Sequence, residues 1–185
     1  SVHTGRKPPI VDGLKATCAA GRLSQKDWAC LGFRRFGGKA VRLECLDKLS
    51  PSYRSRPEAL LIEGNALRLK QQFTKAIVVL EQSCELEPKN LGVYISLAWC
   101  QKRNDQLDDA ISTLKQALVV DELEPTIAYN LSCYSSLKQD VTQAVDYIAL
   151  ALVLEPGFRE LISDESDFDS VRDNPMFLEA ISVIC

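Results

Sequence analysis

The sequence predicts an all-α solenoid of stacked helix–turn–helix hairpins, and three observations carry that prediction. The chain repeats itself with a period of 34 residues, a length that suits one helical hairpin per repeat. Apolar residues in the second half of each repeat return at i, i+1, i+4 and i+8, the spacing of a buried helix stripe. Segments with proline separate the repeats, and a helix must end there because proline gives no amide hydrogen to the ladder.

Three units are predicted, over residues 57–90, 91–124 and 125–158. A 34-residue shift aligns Gly64 with Ala98 and Ser132, and Ala76 with Ala110 and Ala144. It also aligns Leu80 with Leu114 and Ile148, and Ser83 with Ala117 and Ala151. The small rows are needed where two helices of a hairpin approach closely, and the large row fills the space beside that contact. The stripe Ala76, Ile77, Leu80, Cys84 recurs as Ala110, Ile111, Leu114, Leu118 and as Ala144, Val145, Ile148, Leu152. Ser55-Arg56-Pro57-Glu58 reads as a capping box that starts unit one. Glu87-Pro88-Lys89-Asn90 and Glu155-Pro156-Gly157 end units one and three.

The flanks read more weakly. Residues 1–10, with Pro8-Pro9, are expected to be a disordered tail, and 11–56 an N-terminal helical cap with a degenerate repeat over 23–56. There, Val11 to Ala20 supplies a first helix, Ser24-Gln25-Lys26-Asp27 caps the next and Gly37-Gly38 turns the chain. Residues 159–185 are expected to form a C-terminal helical cap, because the last unit has an apolar face with no neighbour. Leu161, Ile162, Phe168, Val171, Phe177 and Ile181 are the residues expected to cover it.

With these rows in place the chain resembles the tetratricopeptide repeat family, and its third unit and tail resemble those of bacterial members. The departures are Leu60, Tyr94 and Ala128 where the family often has Trp, Gln101 and Ser135 in place of an aromatic, and Glu122 in place of the last proline. The resemblance implies a right-handed superhelix whose first helices line a concave, peptide-binding surface. Residue by residue it points to Leu61, Asn65, Arg68 and Leu69 in unit one, and Ile95, Ser96, Trp99, Lys102 and Arg103 in unit two. In unit three it points to Tyr129, Asn130, Cys133 and Leu137. Trp99 sits at the centre, where a large aromatic most often dominates binding, with Arg68, Lys102 and Arg103 as a positive rim. Members that clamp the acidic C-terminal peptide of heat-shock chaperones carry Lys, Arg and Asn at five positions; here those are Leu61, Asn65, Ser96, Thr126 and Asn130, and Asn65 alone matches. Losing the cations removes the charge-assisted bonds such a clamp needs.

Composition narrows the remaining classes. At 185 residues, 46% hydrophobic and 25% charged, the chain can bury a core of its own. The longest apolar run, Tyr147 to Leu154, is too short to span a membrane, and the start does not read as a signal peptide, so a cytoplasmic protein is expected. His3 is the one histidine, and the seven cysteines show no C-x-x-C pair, so no metal or cofactor site and no enzyme chemistry are expected. Gly32-Phe-Arg-Arg-Phe-Gly37-Gly38-Lys39-Ala40 fails as a phosphate loop: its spacing is one residue long and Ala40 cannot bind magnesium. The acidic run Asp164, Glu165, Asp167, Asp169, Asp173 lacks the order and glycine of a calcium loop and reads as helix N-caps. Residues 1–56 carry a net charge of +8 and residues 57–185 a net −11. The partner expected is a protein or peptide; the alternatives are assembly of copies through this charge asymmetry and, further off, nucleic acid bound by the basic end.

Overall fold

A computed structural model describes residues 54–183. The expectations for residues 1–53, namely the tail, the first helix, the glycine loop and nearly all of the degenerate repeat, lie outside the described residues. Among the described residues six helices form three hairpins: α1 (Pro57–Leu69), α2 (Phe73–Leu86), α3 (Leu91–Arg103), α4 (Leu107–Val120), α5 (Pro125–Leu137) and α6 (Val141–Leu154). A tail follows with a 3-10 turn Pro156–Phe158, α7 (Arg159–Ile162), a second 3-10 turn Ser166–Phe168 and α8 (Pro175–Val183). No strand occurs among the described residues.

The hairpins repeat in close register. First helices begin at 57, 91 and 125 and second helices at 73, 107 and 141, each set 34 residues apart. Pro57 and Pro125 occupy the first turn, where the missing amide hydrogen costs nothing and φ is already helical. The N-cap lies at Arg56, one residue past the expected Ser55, and Arg56 gives no side-chain cap bond. Helices α5 and α6 are capped by acceptors instead: Glu124 accepts from the Thr126 amide and Asp140 from that of Gln143.

The predicted rows form the core. Ala76, Ala110 and Ala144 are wholly buried, as are Leu80, Leu114, Ile148, Ala98 and Ser132. At Gly64 an added Cβ would lie 2.5 Å from Leu80 Cγ, so the first hairpin is closed more tightly than an alanine permits. Ser132 satisfies its buried hydroxyl by donating to the Ala144 carbonyl at 2.6 Å. Between units α2 packs on α3 and α4 on α5, and polar contacts recur at the same offset: Thr74 with Asn104, and Asp108 with Lys138.

One repeated device was not read from the sequence. Gln71, Asp105 and Gln139, 34 residues apart, close each hairpin with φ near +60°. The following amides, of Gln72, Gln106 and Asp140, donate five residues back to Leu67, Gln101 and Ser135. These are Schellman turns, in which glycine is the usual left-handed residue. A residue with a Cβ pays about 1–2 kcal/mol for that conformation, partly offset by the extra freedom glycine has when unfolded. Gln139→Gly is therefore expected to raise stability by up to about 1 kcal/mol, while the β-branched Gln139→Val lowers it. Urea unfolding curves check both, and a destabilised glycine variant contradicts the account.

Candidate functional site

Side chains of α1 and α3, with Phe73 at the start of α2, gather into an aromatic and cationic cluster between units one and two. The Trp99 ring packs edge-on against Phe73 at 5.6 Å between centroids. The Arg68 guanidinium lies 5.0 Å from the Trp99 centroid and that of Arg103 5.8 Å, with Arg103 also 5.9 Å from Phe73. Asn65 ties the helices together: it donates to the Leu61 carbonyl at 3.0 Å and accepts from Arg68 Nε at 3.2 Å and Ser96 Oγ at 3.1 Å. Leu69 and Arg103 are exposed, Leu61, Asn65 and Trp99 half-buried, and Arg68 and Ser96 buried. Trp99 touches the core clusters of both neighbouring units, so it is an anchor of the fold as well as a surface residue.

Unit three differs from the expectation of an open groove. Tyr129, Asn130 and Cys133 are buried to 1%, 1% and 0% exposure. The tail folds back onto α5: the Tyr129 ring meets Phe158 at 5.0 Å and Phe168 at 5.7 Å, and Ser170 donates to the Ser136 carbonyl at 2.7 Å. Lys102 reaches across from α3 to an ion pair with Asp167. Ile95 is likewise buried, at 2%, within the cluster that holds α5. The physical reason is that each first helix is packed on by the element that follows it in the stack, and the tail takes that place after unit three. Leu137 stays exposed. Of the predicted residues, those left at the surface thus concentrate in units one and two.

The tail itself is held by a side chain the sequence did not single out. Arg172 donates to the carbonyls of Ile162 (2.9 Å), Ser163 (3.1 Å) and Glu165 (2.7 Å) and to the Asp169 carboxylate at 3.0 Å. Of the acidic run, Glu165 is an N-cap, accepting from the Asp167 amide, whereas Asp167 serves the ion pair.

A tetratricopeptide repeat family model matches residues 67–128, from the end of α1 into α5. Over those residues the chain is similar to tetratricopeptide repeats. Cell division cycle protein 27 homolog of Caenorhabditis elegans is 25% identical over 114 residues, which are 62% of this chain and 14% of that protein. The chain therefore spans a small part of that relative's length. The type III secretion translocator chaperone SycD of Yersinia enterocolitica superposes with a TM-score of 0.51 at 22% identity, over 79% of this chain and 97% of that one. At that identity the likeness shows the fold.

No group of metal-ligating side chains assembles among the described residues, and no described helix is long and apolar enough to cross a membrane. Burial pushes the thiols of Cys84 and Cys100 up to about 12, so both are protonated at neutral pH and poor nucleophiles. Burial also raises the Asp167 carboxyl above its ordinary value, more than Lys102 lowers it; Glu165 adds to the rise and Arg103 opposes it. A carboxyl raised on folding binds its proton more tightly in the folded chain. Its contribution to stability is full below the ordinary carboxylate value and is lost as pH rises through the folded one. The stability of the wild type relative to Asp167→Asn is therefore expected to grow between pH 7 and about pH 4. Urea midpoints at both pH values check this, and a shrinking difference counts against it.

Proposed function

We propose that this chain is a non-enzymatic interaction module that holds a segment of a partner protein against the concave face of units one and two. The observation that carries the reading is the Trp99 cluster: an indole, a phenyl ring and two guanidiniums gathered on one face, with Arg103 and Leu69 exposed. Such amphipathic aromatics and arginines are the side chains that most often dominate protein interfaces. A fold shared with a protein described as a translocator chaperone supports a protein-handling role. Buried, protonated thiols at Cys84 and Cys100 fit a cytoplasmic setting.

The test is selection of binding peptides from a random display library. Selected peptides are expected to bind at micromolar affinity and to shift Trp99 emission in a Trp28→Phe background. Trp99→Ala is expected to weaken that binding about 30-fold or more, a loss of about 2 kcal/mol. It also loses ring contacts with Phe73 and both core clusters, at about 1–3 kcal/mol of stability, so affinity is measured where the variant is fully folded. Peptides that bind Trp99→Ala as tightly as wild type move the site elsewhere.

A further inference from the structure

We infer that the segment bound at this site carries a carboxylate side chain beside an aromatic or large apolar one, and that Arg103 is the residue that selects it. The inference rests on the reading of units one and two as the binding face. Two cations gather at Trp99, Arg68 and Arg103, while the third predicted one, Lys102, lies over the Tyr134 ring of α5. Lys102 is already engaged by Asp167, so that charge is answered within the chain. Arg103 is exposed, and among the described residues its contacts are rings, Trp99 at 5.8 Å and Phe73 at 5.9 Å; Asp167, paired with Lys102, acts on it only from beyond ion-pair distance. A guanidinium whose face lies against an aromatic ring still has its in-plane N–H donors, in the planar fork that fits a carboxylate. The indole and phenyl rings beside it supply the apolar half of the contact.

The molecule contains a precedent on the same face. Its own Asp167 and Phe168 are adjacent residues, and they dock as a pair, the carboxylate on Lys102 and the ring against Tyr129 at 5.7 Å. An acidic and aromatic pair is therefore a chemistry this concave face already accepts one unit further along.

The experiment reads the composition of the selected peptides and repeats the selection with Arg103→Gln. The expected result is enrichment of Asp or Glu next to Phe, Tyr, Trp or Leu, with affinity that falls as salt rises. Arg103→Gln is expected to lose about tenfold or more in affinity for the acidic peptides and little for their Asn and Gln counterparts. Because Arg103 is exposed, this variant is expected to fold like the wild type. Peptides that need Trp99 yet show no acidic enrichment, or bind Arg103→Gln unchanged, overturn this inference and leave the binding face standing. Failure to select any peptide overturns both. Sedimentation is the remaining arm: a dimer that disappears in Arg103→Gln assigns the site to a second copy, whose residues 57–185 are net −11, and overturns the assignment to a partner peptide.

Discussion

Phe168→Ala is expected to lower the stability of the folded chain by about 3–5 kcal/mol, among the larger costs a single substitution can have. The ring is wholly buried in the main core cluster and meets Tyr129 at 5.7 Å and Phe177 at 5.1 Å. It is thus the residue through which the tail is fixed to α5 on one side and to α8 on the other. Truncation leaves a cavity between three elements, and the neighbours that surround it cannot collapse together because Arg172 and the Lys102–Asp167 pair hold the backbone in place. An upper bound comes from the architecture. In a stack where units contact their neighbours, the tail can detach alone, and the global loss then cannot exceed the tail's own contribution. Detachment would uncover Tyr129 and Cys133, so the variant is also expected to self-associate and to be cut by proteases within residues 156–174. Urea unfolding with limited proteolysis measures both effects. A loss under about 1 kcal/mol with unchanged proteolysis would show that the tail is not fixed through this ring.

What the sequence disclosed and what it withheld divide along a physical line. The rows of Ala76, Leu80 and Gly64 were legible because close approach of two helices restricts side-chain volume, and a restriction repeated three times at one period is visible as a pattern. The helix ends at Glu87 and Glu155 were legible because proline follows each directly. The turns at Gln71, Asp105 and Gln139 were hidden, since no glycine or asparagine marks the left-handed residue and the neighbouring helices impose it. The proposed binding face was half legible. The family resemblance placed Trp99, Arg68 and Arg103 together, but it could not reveal that Tyr129 is taken by Phe168, a contact between residues distant in sequence. A periodic reading treats every unit as an interior unit, whereas the last one meets a tail of different composition. The fork of Arg172 was silent for a related reason: its acceptors are mostly backbone carbonyls, which carry no residue-type signal.

Leu114→Ala is expected to cost about 2–5 kcal/mol, and it tests the repeat register at the centre of the stack. Leu114 is wholly buried in the same cluster as Ala98, Ala110 and Ala117, with units on both sides, so neither end of the solenoid can relax toward it. Its counterpart in unit one, Leu80, lies against Gly64, where an added Cβ would come within 2.5 Å; in unit two Ala98 already carries that Cβ, so the side chains around Leu114 are set by a different packing at the same position. The matched control is Val119→Ala on the same helix. Val119 is 89% exposed, so its change is expected to stay within about 0.5 kcal/mol. The two residues are both aliphatic and five positions apart, and helix propensity separates them by about 0.5 kcal/mol at most; the larger difference comes from the side of α4 that faces α3 and α5. Denaturation curves for the pair decide the matter. Equal losses would mean that α4 is not seated in the predicted register, and with it the inward placement of Trp99 on the helix that α4 packs against would fall.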